Sequence, residues 1–354
     1  MALVPARLDA LLLRDRRRGC TARPYGGPPE GRRRDPPRLR DVVVYPPLVG
    51  DRLGRLLGGL HLDLARGDHR RTVFLAGTGR SGTTWLSGLV NHDRLYRNVF
   101  EPFHPGKVGA LRGFRSKQYL RPDDRREEFL YPARRVLSGE VRSFWTDRGG
   151  ALLARRRLVK DVRANLMLGW MADNFPGMPI VLLVRHPGAV VSSRLALEWR
   201  DNLDETMEQK ELVEDHLLPM EAEILASTEP FERHLFLWCI DNYVPLKQFR
   251  PGGLHLCFYE NLLLDPETEL RRLFGFIGRD FDEGVLRRIG RPSPTSRRET
   301  RGDHDAEGWG RGTTGRQLER ASEILGLFGL DRVYGEGATP DPSGARALMA
   351  TGSA

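Results

Sequence analysis

Long apolar runs are missing from this 354-residue sequence. None approaches eighteen residues, so no transmembrane helix is expected. Cysteine is nearly missing too. Cys20, Cys239 and Cys257 are odd in number and two lie in apolar runs, which excludes a disulfide framework and favours buried, reduced thiols. Leu11-Leu12-Leu13 is too short for the core of a secretory signal, and an Arg cluster follows it instead of preceding it. These absences lead us to expect a cytoplasmic protein. Lysine is scarce, with five Lys against 51 Arg. Alongside a heavy Gly, Pro and Ala load, that bias reads as coding composition and not as function.

A net charge of +9 suggests nucleic acid or a membrane surface until the charge is located. Residues 1–40 hold eleven Arg against four acidic residues, with Arg-Arg-Arg at 16–18 and again at 32–34, so most of the surplus sits there. Such a Pro- and Gly-rich segment buries too little apolar surface to offset its chain entropy. We therefore expect a disordered basic arm over residues 1–50, one ordered domain over 51–335 and a disordered tail over 336–354. No internal repeat is present.

What is present centres on Thr72-Val-Phe-Leu-Ala76 running into Gly77-Thr-Gly-Arg-Ser-Gly-Thr-Thr-Trp85. A short β-rich run meets a glycine-rich turn and then an amphipathic segment to about Asn91. In such a strand–loop–helix unit, the backbone N–H groups of the loop and the helix start converge on one anion. The spacing Gly77-x4-Gly82 suits a phosphate loop. The residue after Gly82 is Thr83 and not the Lys of an ATP or GTP hydrolase, and the loop's one cation is Arg80.

GRSGTTWL resembles the 5′-phosphosulfate loop of sulfotransferases that use 3′-phosphoadenosine 5′-phosphosulfate (PAPS), closest to their carbohydrate and bacterial branch. The resemblance implies that Gly79, Arg80, Ser81, Gly82, Thr83, Thr84 and Trp85 bind this co-substrate. It implies an α/β fold, with a mostly parallel central sheet flanked by helices and the phosphate loop after the first core strand.

Further along, Arg97-Asn-Val-Phe100 reads as a strand ending at Glu101-Pro-Phe-His-Pro105, where two prolines force the chain out of regular structure. A surface Glu is the ordinary reading of Glu101. The resemblance implies instead a general base, because a Glu-Pro follows the phosphate loop at about this distance in carbohydrate-type relatives. His104 is its nearest competitor. Residues 106–150 show no clear periodicity and read as an insertion over the active-site face.

Leu158-Val159 runs to Lys160 at another strand end. A compact ammonium there suits one phosphate or sulfuryl oxygen better than a planar fork does, although a solvated Lys beside Asp161 remains open. Family members carry a Lys near this point that helps hold the transferring group. The cytosolic branch has His two residues later, where this chain has Val162.

Pro179-Ile-Val-Leu-Leu-Val184 is a strand buried on both faces, and it ends in Arg185 where an NTPase often has a Mg²⁺-binding Asp. Pro187 then starts a helix carrying Ser193. The eight-residue spacing of Arg185 and Ser193 resembles the 3′-phosphate site of PAPS enzymes, and His186 stands where the carbohydrate branch often has Asp.

Leu53 to about Leu64, Asn165–Phe175, Met207–Ala226, Phe231–Phe249, Pro266–Ile277 and Gln317–Phe328 read as helices. Leu254–Phe258 reads as a strand entering Tyr259-Glu260. The resemblance places Tyr259 beside the adenine, where a buried aromatic anchoring the sheet is the equal alternative, and assigns Ser293–Thr314, with Arg297, Arg298, Arg301, Trp309 and Arg311, to a loop closing over the nucleotide. The reading is thus a PAPS-dependent O-sulfotransferase with a carbohydrate or other small-metabolite acceptor. Catalysis falls to Glu101, Arg80 and Lys160, with no metal and no nucleic-acid partner. The alternatives are a nucleotide kinase with a degenerate phosphate loop, or a basic-armed nucleic-acid binder.

Overall fold

A computed structural model describes residues 62–147, 153–290, 314–335 and 337–351. The basic arm, the start of the Leu53–Leu64 segment, Arg301 and Trp309 lie outside the described residues.

Five strands form one parallel sheet: β1 (Thr72–Gly77), β2 (Tyr96–Phe100), β3 (Arg156–Asp161), β4 (Ile180–Val184) and β5 (His255–Phe258), in the order β2-β3-β1-β4-β5. All six residues of β1 and all five of β4 are buried, as the near-continuous apolar runs predict for strands covered on both faces. The period of two decides which face each side chain serves. Phe74, Ala76, Leu182 and Val184 enter one core, whereas Val73, Leu75, Val181 and Leu183 enter the other.

The α-helices of five or more described residues follow in chain order. They are α1 (Thr83–Val90), α2 (Glu127–Leu137), α3 (Leu168–Asn174), α4 (Pro187–Leu195), α5 (Leu203–Met207), α6 (Glu221–Ala226), α7 (Pro230–Gln248), α8 (Tyr259–Leu264), α9 (Pro266–Phe276), α10 (Gly315–Leu327) and α11 (Pro342–Thr351). Leu86, Leu89 and Val90 of α1 share the second core with Leu270, Leu273 and Phe274 of α9. The first core is larger and holds most of α7, whose Trp238 is fully buried.

Register is what positions the site. Phe100 and Leu75 both pair with Lys160, Gly77 pairs with Leu183, and Val184 pairs with Phe258. The residues that leave these strands are therefore aligned along one carboxyl-terminal edge: the glycine loop, Glu101, Arg185 and Tyr259. Ligands bind at that edge in open parallel sheets.

Four elements depart from the sequence reading. Residues 62–63 form a two-residue strand paired in parallel with Leu153–Ala154, not a helix end. Within 106–150, Glu127–Leu137 is an amphipathic helix burying Phe129, Leu130, Ala133, Val136 and Leu137. The stretch Met207–Ala226 is not one helix. It passes through a π turn at Val213–Leu217 and a 3₁₀ turn at Leu218–Met220, because Pro219 has no N–H to continue an α-helical ladder. The tail also departs from expectation. Pro342–Thr351 is helical, with Asp341 Oδ1 accepting from Ser343 N at 2.7 Å, and Ala345 and Met349 are buried. Its small residues, which read as disorder, allow close approach: a Cβ on Gly344 would collide with the Arg332 carbonyl.

Candidate active site

The glycine loop connects β1 to α1 and is shaped by two close approaches. Gly82 has φ +97°, and a Cβ there would lie 2.8 Å from the Tyr259 ring. A Cβ on Gly79 would lie 2.7 Å from the ring of Trp199. Any side chain at either place would break the wall that packs on the loop. Ser81 contributes a buried hydroxyl with no hydrogen-bond partner among the described residues. A buried polar atom left so is costly unless a ligand uses it. Glycine cradle, orphaned hydroxyl and helix start fit an anionic group of phosphate or sulfate chemistry. Thr83 is buried beside them at the start of α1, with Thr84 half-buried.

Arg80 stands at φ +79° and reaches away from its own loop: its Nε donates to Ser193 Oγ on α4 at 2.9 Å. Arg185 Nη1 donates to the Arg80 carbonyl at 3.4 Å, and its guanidinium lies 4.3 Å from the centre of the Tyr259 ring. Trp85 meets the same ring edge-on at 5.2 Å. The structure therefore brings Arg80, Trp85, Arg185, Ser193 and Tyr259 into one continuous set. Arg80 touches the α4 side instead of standing apart with the loop.

Glu101, at the end of β2, is buried with φ +39°. Its Oε1 accepts from Lys160 Nζ at 2.6 Å and its Oε2 from Arg163 Nη1 at 2.6 Å. Burial alone would raise its carboxyl, but the two cations hold it below the usual carboxylate range. Beside it, Asp161 accepts from Phe103 N and Arg163 N, each at 2.8 Å, and so fixes the turn after Glu101. Burial, with the Glu101 charge, pushes Asp161 up to about 6. His104 is half-buried with its ring edge-on to Trp145 at 5.4 Å, and burial together with the Arg163 charge lowers its pKa.

His186 has a structural task that its sequence position did not reveal. Its Nδ1 accepts from Gly188 N at 3.1 Å and caps α4, as a short carboxylate would. Burial, aided by Arg185, holds its pKa down to about 3, which keeps the imidazole neutral and able to accept. The buried Glu260 ties the same region to the chain's end, accepting from His186 N at 2.9 Å and from the Tyr334 hydroxyl at 2.9 Å.

Sequence reasoning missed Arg163, Asp161, Glu260, Trp199 and a buried group beneath the loop made by Lys117, Arg194 and Asp241. Lysine scarcity, which drew attention to Lys160, was also available at Lys117. Nothing local marks Asp241. Among the described residues, no cluster of His, Cys, Asp and Glu has the makings of a metal site.

A model of the sulfotransferase family matches residues 72–283, more than half of the chain. No curated protein matches the sequence. Among solved structures, mouse sulfotransferase SULT7A1 complexed with PAP is similar at 17% identity and TM-score 0.43, over 83% of this chain and 92% of that one. A sulfotransferase from Alicyclobacillus acidocaldarius is similar at 17% identity and TM-score 0.39, over 77% and 98%. The sulfotransferase domain from the curacin biosynthetic pathway gives 16% identity and TM-score 0.38, over 78% and 95%.

Proposed function

The chain belongs to the sulfotransferase family, and from that premise we propose that it transfers a sulfuryl group from PAPS to a hydroxyl of a carbohydrate or other small metabolite. The observation that carries this reading is the contact of Arg80 with Ser193, which joins the anion loop to a second cationic set at one sheet edge. A nucleoside bearing phosphates at both its 3′ and 5′ positions needs two such sites close together. The nucleotide-kinase reading is not favoured by the family.

PAPS supplies the sulfuryl group and a good leaving phosphate. The loop from Gly79 to Thr84 would hold the 5′ end, with Ser81 Oγ gaining the partner it lacks. Arg185, Ser193 and Arg80 would hold the 3′-phosphate, and Trp85 and Tyr259 would form the wall for the adenine. Lys160 and Arg163 would offset charge that grows in the transition state, commonly the largest catalytic contribution.

Glu101 would take the acceptor proton. Two cations now hold its carboxylate, and a base held low is a weak one. Lys160 has three donors and lies at the same strand end as the loop. An anion near its ammonium competes with Glu101 for those donors, which would loosen the carboxylate and raise its basicity once the site is filled.

Calorimetry tests the assignment. 3′-Phosphoadenosine 5′-phosphate (PAP) is expected to bind far more tightly than AMP, without Mg²⁺. A charged hydrogen bond contributes about 1.5–3 kcal/mol, so Arg185→Ala should weaken PAP binding at least tenfold. Equal wild-type affinity for AMP and PAP would overturn the reading.

A further inference from the structure

A second charged group lies beneath the loop, and the reaction described above does not use it. Thr78, at the foot of the loop, donates its Oγ1 hydrogen to Asp241 Oδ2 at 2.6 Å. The same oxygen receives Lys117 Nζ at 2.7 Å, with Arg194 Nη2 3.8 Å away. Arg194 also donates to Thr78 Oγ1 and, at 3.3 Å, to the Gly79 carbonyl. Lys117, Arg194 and Asp241 are all buried, so two cations share one carboxylate away from water.

Lys117 belongs to the segment that follows Glu101, the proposed base, and its backbone stands at φ +56°. A non-glycine residue in that region persists only where its surroundings over-determine it. Here Gln209 grips both sides, its Nε2 donating to the Lys117 carbonyl at 3.0 Å and its Oε1 accepting from Tyr119 N at 2.8 Å. The strained backbone turns a lysine inward, from the segment after Glu101 to the carboxylate that holds Thr78 of the phosphate loop.

We propose that Lys117 is a positioning residue: through Asp241 and Thr78 it couples the phosphate loop to the segment at 106–120, so that co-substrate binding at the loop orders the acceptor side. The inference rests on the PAPS reading. Its physical basis is the surplus positive charge, because burying two cations against one carboxylate is costly and an anion bound above the loop relieves that cost. Coupling of this kind is reciprocal, so a loosened segment weakens the bound anion by the same factor.

Hydrogen exchange with and without PAP tests this. In the wild type, PAP should slow exchange in 77–84 and also in 106–120. Lys117→Met leaves Asp241 with Arg194 and Thr78, so no carboxylate is stranded. This variant should keep the protection of 77–84, lose that of 106–120 and bind PAP about tenfold more weakly. Thr78→Val cuts the same link without removing a charge and should likewise lose protection at 106–120. If Lys117→Met does not fold, Thr78→Val decides. Full protection of 106–120 in either folded variant would overturn the coupling. So would PAP binding that never protects that segment in the wild type. Failure of the wild type to bind PAP at all would overturn the PAPS reading and this inference with it.

Discussion

Glu101 is held by two cations at 2.6 Å each, and that geometry sharpens what its replacement should do. Glu101→Gln keeps the shape and removes the basic oxygen, so kcat should fall by about 10²–10⁴-fold. PAP affinity should be unchanged or higher, because the substitution releases Lys160 and Arg163 beside an anion site. Calorimetry paired with turnover measurement checks both halves, and weaker PAP binding would show that Glu101 serves to build the site. His104→Ala is the control for the competing base. Asp161 makes a separate, pH-dependent prediction. Its folded pKa of about 6 lies above the ordinary 3.8, so burial favours the protonated form. The stability it lends is complete below the ordinary value and is lost as pH climbs through about 6. Two pKa units amount to about 3 kcal/mol. Between about pH 4 and 7 the Tm of the wild type should therefore fall relative to that of Asp161→Asn. A pH-independent difference would refute the assignment.

At the scale of elements, what was legible was whatever periodicity or punctuation marks locally. The β1 and β4 runs, the glycine turn and the helix-starting Pro187 and Pro266 all announced themselves, and their strand ends fell in register. What was not legible depended on distant partners. Lys117 and Asp241 are 124 residues apart and meet only because α7 runs behind the loop. Pro219 was legible in principle, yet Met207–Ala226 read as one helix across it. The terminal helix was hidden for a different reason: Gly344 and Ala345 lack a hydrophobic stripe, and their value is the close approach to Arg332. Helix α11 packs on α7 and buries Met349 against the larger core. A fully buried Met contributes about 1.5–3 kcal/mol. Truncation after Pro340 should thus lower Tm by several degrees in a thermal melt, and an unchanged Tm would show that α11 adds nothing.

For the molecule as a whole, charge and folding are separable. Most of the surplus of +9 lies in residues 1–40, whose composition adds little apolar surface to any core. Removing them should leave Tm and PAP affinity within error of the full chain. A melt several degrees lower would contradict this. The packing of Trp199 on Gly79 has a practical consequence. Trp199 is 44% exposed and its ring lies against the backbone of the phosphate loop, whereas Trp170 and Trp238 are sealed inside. Indole emission responds to nearby charge and to water, so the protein carries its own optical reporter at the loop. A nucleotide titration can be followed by intrinsic fluorescence without any label, and Trp199→Phe should remove the Trp199 share of the signal, leaving the response of Trp85 at the proposed adenine wall over the emission of the interior Trp170 and Trp238.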